Sequence, residues 1–425
     1  MGTTLFLSFF IFVLVGVPIA VALGLSSLVA LVMHSHVPLM VLVQKAYGGV
    51  DSFTLMAIPF FILAGNIMSS GGVSSRLVNL ANCFFGRFPG GLAHVATAAC
   101  TFFGAISGSA PATTAAIGSV MVGPMREKGY SRVFSAACVA ASGTIGLLIP
   151  PSITMVLYGV ITGASVGKLF LGGVLPGLLM CSALMSVNYV VAKRHGYGGG
   201  DKVGLGQTMK AIKDASLALL MPLIILGGIY GGVFTPTEAA VVAVVYGLII
   251  GRYVYKQLDN KRLYEVVLST AKSAAVIMFL VATAHCFSYL MASEQIPQAL
   301  TNSMLSVSTN PSILLFMICA SLLVVGTFLD NAVAVVLMAP IFHPVIMSAG
   351  IDPVYFGVLL VLTLSIGQVT PPVGLCLFVA CDLGKVSIEK LSMGVLPYLL
   401  ILVLVMVVLI LCPDIVLFIP NHMMQ

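Results

Sequence analysis

The sequence predicts an all-α membrane protein with many transmembrane segments, built from two inverted copies of one unit. Three observations predict this fold. Of the 425 residues, 60% are hydrophobic and only 8% are charged, a composition that no water-soluble fold tolerates. Two long apolar segments are each interrupted by a short polar run. The same motifs also occur twice along the chain at a constant spacing.

The first polar run is SGSAPATT at residues 107–114, which we call the first tip. Apolar arms of roughly one membrane depth, at about 1.5 Å per residue, lead into it from Gly90 and out of it to Met125. Gly108 loosens the helix and Pro111 lacks a backbone N–H. Because unpaired backbone groups at membrane depth must lie inside protein or beside water, the run is either the tip of a re-entrant hairpin or a kinked packing site.

A second copy of these motifs favours the hairpin tip. The run GTFLDNAV at 326–333, the second tip, also lies between apolar arms. A helix broken at a double proline follows each tip, and we call these the first break (142–152, SGTIGLLIPPS) and the second break (364–374, LSIGQVTPPVG). Pro150 and Pro371 lie 221 positions apart, and so do two GVLP runs farther on. This constant offset indicates an internal duplication.

Long apolar segments give the order of elements along the chain. We expect transmembrane segments at 4–33, 52–70, 131–163, 170–193, 214–233, 236–256, 262–291, 353–383 and 393–412, and re-entrant hairpins at 90–126 and 311–347. The segments 131–163 and 353–383 contain the two breaks. The first copy of the unit then occupies 1–193 and the second 236–412, with a linker and one extra transmembrane helix at 194–235 and a tail at 413–425.

The basic residues indicate which side of the membrane each loop faces. With a cytoplasmic N-terminus, every Lys and Arg except Lys45 and Lys168 falls on the cytoplasmic side, a strong positive-inside signal. Glu294 is then in an outer loop and the C-terminus is periplasmic. The extra helix at 214–233 makes the second copy start on the opposite side, so the copies are inverted. Inverted repeats with broken helices that meet at the midplane are typical of secondary transporters.

Some connecting segments have patterns of their own. The basic, amphipathic stretches 73–88 and 256–272 are typical of helices that lie in the membrane interface, although plain connecting helices give the same pattern. The glycine-rich stretch 195–206 predicts a flexible link between the copies. In FTPTEAA, Thr235 and Glu238 predict a capped helix start.

The chain lacks the motifs of several other classes of protein. Its nine cysteines form no CxxC or CxxH pattern, so neither a disulfide framework nor a transition-metal site is indicated. No GxSxG or HExxH motif supports an intramembrane enzyme. The net charge of +6 says little about nucleic acid, and we expect no nucleic-acid partner. Duplicated backbone breaks weaken packing and do not suit a purely structural scaffold.

Asp330, in the second tip, is the most conspicuous polar residue. A carboxylate at this depth costs about 2.5–3.5 kcal/mol, so it must face a cavity or a partner. It can bind a cation, take up a proton, or organise Asn331 and the backbone of the tip. With Asn331 it can equally cap the second arm of the hairpin, and these roles are compatible.

The tips and breaks are rich in neutral oxygens, which suit a hard monovalent cation. The tips supply hydroxyl and amide oxygens of Ser107, Ser109, Thr113, Thr114, Thr327 and Asn331. The breaks supply backbone carbonyls of Gly143, Gly146, Ile149, Gly367, Val369 and Thr370. Each tip with its own break predicts one cation site, so we expect two. The half-helices that start after the tips point positive dipole ends inward, which suits an anionic substrate.

Four motifs together resemble one known family. SGSAPATTAAIG, GLLIPPS, FTPTEAA and TPPVG are similar to the motifs of the large membrane subunit of tripartite ATP-independent periplasmic (TRAP) transporters, and the likeness covers essentially the whole chain. The resemblance implies an inner-membrane elevator of the ion-transporter superfamily, with Na⁺ as the coupling ion. It also implies a small four-helix membrane subunit and a periplasmic binding protein that delivers an organic acid. Among the family's branches, the sequence resembles the sialic-acid one.

The resemblance also implies positions for the sites. Family sodium sites correspond here to Ser107, Ser109 and the segment 143–150, which ends at Pro150, and to Gly326, Thr327 and the segment 367–370. Substrate contact is expected around Ser109, Thr154 and Asp330, with Asn331 beside them.

Two functions remain open from the sequence. The first is sodium-coupled import of an anionic organic acid by an elevator motion, with a binding protein. The second is a proton- or sodium-coupled dicarboxylate carrier of the same fold that needs no binding protein, in which Asp330 is the proton site.

Overall fold

The helices of the chain form two series in the same order. The computed structural model describes residues 1–34, 37–200 and 204–423, and this part is all α-helical. The first series is α1 (Gly2–Leu14), α2 (Ile19–His34), α3 (Met40–Val50), α4 (Ala57–Ser70), α5 (Val73–Phe85), α6 (Gly91–Ser107), α7 (Ala110–Glu127), α8 (Arg132–Gly143), α9 (Ile153–Thr162) and α10 (Val166–His195). The second series is α11 (Leu205–Tyr230), α12 (Pro236–Ile249), α13 (Asn260–Ser293), α14 (Ile296–Val307), α15 (Pro311–Phe328), α16 (Asn331–Ser348), α17 (Pro353–Gly367), α18 (Leu375–Gly384), α19 (Ile388–Leu411) and α20 (Asp414–Met423).

The 221-residue offset relates the helices of one series to those of the other. Shifted by that offset, α2 falls on α12, the bent pair α3 and α4 on the single long α13, and α5 on α14. The hairpin α6–α7 falls on α15–α16, and the broken helix α8–α9 on α17–α18. Both predicted hairpins and both predicted broken helices are therefore confirmed. The predicted tail forms the short helix α20, which packs on α10.

The two copies exchange packing partners reciprocally. The second arm of the first hairpin, α7, packs against α18, the half-helix after the second break, while α16 packs against α9, the half-helix after the first. In the same way α8 packs on α19 and α17 packs on α10. This arrangement is the one that a twofold-related pair of repeats produces, and it gathers both tips and both breaks in one region.

Helix length and composition agree with a multi-pass membrane protein. Within the described residues, seven helices are long and apolar enough to cross a membrane, and the pair α3–α4, bent by 63°, can be counted as an eighth. Several other apolar helices are shorter because the tips, the breaks and one further turn interrupt them.

That further turn lies in the first predicted span, 4–33, which is two antiparallel helices, so this prediction is wrong. After α1, Gly16 adopts a φ of +88° and Pro18 cannot continue the helix. The chain then returns as α2 beside α1, and the Thr4 hydroxyl lies 2.6 Å from a ring nitrogen of His34. The uniformly apolar composition of this segment hides the Gly-x-Pro turn.

The α1–α2 hairpin brings the N-terminus close to Glu294. The N–H of Gly2 donates to a carboxylate oxygen of Glu294 at 2.8 Å, so both residues lie at the same end of the molecule. The predicted topology placed the N-terminus on the cytoplasmic face and Glu294 on the opposite face, and these two assignments are incompatible.

The predicted surface helix at 256–272 is not a separate element, which corrects another prediction. From residue 260 onward it belongs to α13, a helix of 34 residues. The counterpart of α5 is instead α14, a helix of 12 residues that was not predicted. Both α5 and α14 directly precede a hairpin, so they occupy equivalent positions in the two copies. The capping box of Thr235 and Glu238 at the start of α12 is confirmed.

The link predicted as flexible, 195–206, is anchored over its first part. Tyr197 stacks on Tyr130 with ring centroids 4.5 Å apart, and its carbonyl accepts from the N–H of Gly90 at 3.0 Å. Residues 201–203 lie outside the described part of the chain. The described part of the link is therefore tied to the start of the first hairpin.

A buried polar network joins the two copies. Asn188 of α10 donates from Nδ2 to the hydroxyl of Thr97 at 2.8 Å and accepts at Oδ1 from the hydroxyl of Tyr398 at 2.6 Å. The Thr97 hydroxyl also lies 2.8 Å from that of Ser142. Because all four side chains are buried and paired, the network fixes one arrangement of α6, α8, α10 and α19.

Candidate functional site

The two tips meet at a small cavity of about 80 Å³, which we call the tip cavity. Its walls come from both tips, both breaks, the start of α9 and one residue of α13. The lining residues are Gly108, Ser109, Pro111, Leu147, Ile153, Thr154, Ile277, Asp330, Asn331, Ala332 and Gln368. The reciprocal packing of the copies thus brings together residues that are more than two hundred positions apart.

All four residues predicted to contact substrate line the tip cavity: Ser109, Thr154, Asp330 and Asn331. Asp330 is also the N-cap of α16, because its Oδ2 accepts from the N–H of Ala332 at 3.0 Å. The capping role and the cavity-facing position therefore coexist in this residue.

Two amide side chains at the tip cavity have hydrogen-bonding groups that the described protein does not use. Asn331 and Gln368 are only 3% and 1% exposed. Neither amide atom of Asn331, nor Nε2 of Gln368, has a hydrogen-bond partner within the described residues. A buried polar group without a partner costs about 1–3 kcal/mol, so this pair is suited to a polar ligand.

Gln368 lies in the segment 367–370 that was assigned to a sodium site, but its side chain was not predicted to line the substrate cavity. It stands in the second break, LSIGQVTPPVG, where it is the only amide side chain. A long polar side chain beside a backbone break in an apolar segment is the signal that could have identified it.

Part of the first predicted cation site is assembled around the first tip. The hydroxyls of Ser107 and Thr113 lie 2.7 Å apart, and the Thr113 hydroxyl donates to the Ser109 carbonyl at 2.8 Å. Gly146 of the first break packs on this cluster, since a Cβ there would lie 2.5 Å from Thr113 Oγ1 and 3.3 Å from the Ser109 carbonyl oxygen. Thr113, one of the hydroxyl residues of the first tip, is thus a further member of this cluster.

The remaining residues of the first set contact other neighbours. Gly143 packs against Thr114, whose buried hydroxyl has no hydrogen-bond partner in the described chain. The Ile149 side chain packs on Gly177 of α10, and Pro150 is buried within the break. The carbonyls of residues 148–151 accept no hydrogen bond from the described protein.

The second predicted cation site is built by backbone contact. Gly326 and Gly367 touch, since a Cβ on Gly367 would lie 2.7 Å from the Gly326 Cα. The Thr327 carbonyl accepts from the N–H of Gly374 at 3.2 Å, and the Thr370 carbonyl oxygen lies beside that same glycine. The Thr370 carbonyl and that of the buried Val369 accept no hydrogen bond from the described chain.

The first copy contains the same glycine contact. A Cβ on Gly104 of α6 would lie 2.5 Å from the Cα of Gly146. In both copies, therefore, the first arm of the hairpin meets its own broken helix with no side chain between the backbones. Only glycine allows so close an approach.

The one full charge among the residues that line the tip cavity is negative. No Lys, Arg or His is among its lining residues, and Asp330 is the one charged residue among them. Helices α7, α9 and α16 begin at the cavity, so their positive dipole ends face it. An anion bound here would have helix dipoles and amide donors, rather than a basic side chain, as its partners among the lining residues.

Comparison with known proteins identifies similar chains along nearly the full length. The family model of the tripartite ATP-independent periplasmic transporter, DctM component, matches residues 6–415. The isethionate TRAP transporter permease protein DctMQ of Oleidesulfovibrio alaskensis is 46% identical over 95% of this chain, which spans 64% of the length of that relative. The C4-dicarboxylate large permease protein DctM of Rhodobacter capsulatus is 40% identical, with 96% of each chain covered.

Two further comparisons bear on substrate and fold. The sialic acid large permease protein SiaM of Vibrio cholerae is 39% identical, with 96% of this chain and 95% of the relative covered. Among solved structures, the YdaH transporter of Alcanivorax borkumensis matches with a TM-score of 0.66 over 99% of both chains at 17% identity. That likeness supports the fold alone.

Proposed function

Because the chain belongs to the DctM family, the large permease component of TRAP transporters, we propose that it imports an anionic organic acid together with sodium ions. The observation that carries the proposal is the tip cavity. It joins both tips, contains Asp330 and lacks a basic side chain among its lining residues. An acid anion that binds there requires a cation bound nearby, which couples the two.

The sodium ions are transported species in this scheme, and the two oxygen clusters are where they would bind. The first cluster is Ser107, Ser109, Thr113 and Gly146, and the second is Gly326, Thr327, Gly367 and Thr370. In the tip cavity the amide N–H groups of Asn331 and Gln368 donate to the oxygens of the anion. The hydroxyls of Ser109 and Thr154 supply further hydrogen bonds.

The energetics of such a coupling are sufficient. Two sodium ions with one monoanion move one net positive charge inward, which releases about 2.3 kcal/mol per 100 mV of membrane potential. The sodium gradient adds to this. The combination supports accumulation of the acid against its own gradient.

The proposed assembly follows the family. The chain is a multi-pass inner-membrane component, and we assign it a small membrane subunit and a periplasmic binding protein as partners. The hairpins and broken helices form a mobile unit that moves as an elevator against a scaffold that includes α4 and α13. The N-terminus lies with Glu294 on the periplasmic side.

The identity of the acid is a separate question. The names of the three relatives refer to isethionate, C4-dicarboxylates and sialic acid. Sialic acid, favoured by the sequence resemblance, is one of these candidates. A thermal-shift screen of the binding protein encoded beside this chain, with these three acids as probes, distinguishes them.

The complete transporter in proteoliposomes tests the coupling. With an inward sodium gradient, we expect uptake of the acid selected by that screen to fall at least about tenfold when sodium is replaced by potassium, because no basic residue lines the tip cavity. Uptake that continues unchanged without sodium contradicts the proposal.

A proton-coupled carrier is the second candidate, and one observation favours it. Asp330 is the one titratable residue that lines the tip cavity. In that case Asp330→Asn abolishes the dependence of uptake on a pH gradient, and uptake proceeds without a binding protein. Sodium-dependent uptake that requires the binding protein rejects this candidate.

A further inference from the structure

A chain of cavities leads from the tips along α13. The tip cavity adjoins a second cavity of about 230 Å³, which in turn adjoins a third of about 400 Å³ at the N-terminal end of α13. The tip cavity and the second share Ser109, Ile153 and Ile277, and the second and third share Asn66, Ser69 and Ser269. We call the second and third cavities together the vestibule.

One face of α13 lines the vestibule with polar side chains. Arg262, Glu265, Ser269 and Ser273 recur every three or four positions, as neighbours on one face of a helix do, and all four are exposed. In a membrane protein such a polar face is stable against water and unfavourable against lipid. The vestibule therefore offers a polar route from the tip cavity toward the N-terminal end of α13.

The opposite wall of the vestibule comes from α4. Asn66 and Ser69 line both of its cavities. Nδ2 of Asn66 donates to the Thr270 hydroxyl of α13 at 2.9 Å, which holds the two walls at a fixed distance.

Arg262 is the one basic residue among those that line the tip cavity and the vestibule. Its Nη1 donates to the carbonyl of Gln257 at 2.9 Å, and no carboxylate in the described chain lies within 4.0 Å of its guanidinium. Glu265 lines the same cavity without pairing with it. Among the residues that line these cavities, Arg262 therefore offers an anion the one full positive charge.

We propose that Arg262, together with Asn66 and Ser69, forms a second anion site in the vestibule, which receives the carboxylate or sulfonate group of the transported acid on its way out. This rests on the proposed function. Once the sodium ions leave, the like charge of Asp330 drives the anion away from the tip cavity, and Arg262 draws it along α13. Glu265 keeps the site weak, which suits a site of release.

Charge-selective labelling tests the site without knowledge of the acid. Ser273→Cys places a thiol in the vestibule, and its modification is followed with an anionic and a cationic methanethiosulfonate reagent of similar size, on the full chain in membrane vesicles. The same protein without the Ser273→Cys substitution measures the background labelling of the native cysteines. We expect Arg262→Gln to lower the ratio of anionic to cationic modification rates about three- to fivefold, the effect of losing one partly screened charge.

Matched variants give the test its controls. Lys261→Gln removes the same charge one residue away, outside the vestibule lining, and should leave the ratio unchanged. Arg262→Lys keeps the charge and should restore most of the ratio, while Glu265→Gln should raise it. If the ratio of anionic to cationic modification rates is the same in Arg262→Gln as in Lys261→Gln, the proposal is overturned.

The test separates this proposal from the function on which it rests. If wild-type uptake does not depend on sodium, the proposed coupling is rejected. The ratio of anionic to cationic labelling rates still reports whether the vestibule contains an anion site. Sodium-dependent uptake with an unchanged ratio in Arg262→Gln rejects the vestibule site alone.

Discussion

Glycine positions decide where this site can form. In each copy a glycine of the hairpin arm touches a glycine of the broken helix, Gly104 with Gly146 and Gly326 with Gly367. The close approach places hydroxyls and free carbonyls of the tip and the break in one small volume. The absence of side chains at these four glycines is therefore as necessary for forming the sites as the oxygen atoms themselves.

Adding one methyl group at these contacts should disrupt the sites. Gly104→Ala and Gly367→Ala each place a Cβ within 2.5–2.7 Å of backbone carbon atoms, which must move apart. Overpacking of this kind costs about 1–3 kcal/mol. We expect sodium-dependent uptake to fall at least about tenfold in proteoliposomes and the thermal unfolding temperature in detergent to decrease.

Gly123→Ala in α7 is the matched control. A Cβ at Gly123 meets no atom within 4 Å, so alanine there should leave uptake within about twofold of wild type. A Gly367→Ala variant with wild-type uptake and an unchanged half-saturating sodium concentration contradicts the role assigned to the glycine contact.

Interrupted helices are the defining elements of this fold, and the turn after α1 was not expected. The tips and breaks supply the site, while the turn after α1 has no role in it and changes the topology. It turns a single predicted span into two short antiparallel helices. The contact of Gly2 with Glu294 then places both residues at the same end of the molecule, and we propose that this end is periplasmic.

Thiol labelling of intact cells tests this topology. Gly2→Cys and Glu294→Cys should both react with a membrane-impermeant maleimide added outside, whereas Lys261→Cys should react only after the cells are opened. The variants are made in a Cys412→Ser background, because Cys412 is the exposed one of the native cysteines. Opposite labelling of positions 2 and 294 contradicts the α1–α2 hairpin.

At the scale of the whole molecule, the two copies share their packing surfaces. Each hairpin rests on the half-helix of the other copy, so the tips, the breaks and the cavity between them form one packed unit. This unit faces α4 and α13 across the vestibule. Such an arrangement suits a rigid unit that moves against a fixed wall.

Cross-linking across the vestibule tests that motion. Ala112 on α7 and Ser273 on α13 both line the 230 Å³ cavity and are exposed. We expect a short bifunctional maleimide to reduce uptake by the Ala112→Cys/Ser273→Cys double variant at least about tenfold relative to the same variant before treatment. A monofunctional maleimide controls for modification alone. Full uptake with the cross-link in place contradicts an elevator motion of the hairpins relative to α13.

The sequence by itself determined the class of the protein and most of its elements. The constant offset and the paired interruptions predicted both hairpins and both broken helices, because Gly and Pro leave backbone groups unpaired wherever they stand in an apolar helix. The predicted substrate residues Ser109, Thr154, Asp330 and Asn331 do line one cavity, since the duplication already implied that the two tips face each other.

Only the tertiary structure decided which neighbours surround each of these residues. It showed Gln368 at the tip cavity, Ile149 turned toward α10, and α14 rather than 256–272 as the counterpart of α5. It also showed that Arg262 is the one basic residue among those that line the tip cavity and the vestibule. A pattern along the chain specifies local backbone geometry, whereas distances between distant segments depend on how the two copies pack, and packing is set by contacts that no single segment contains.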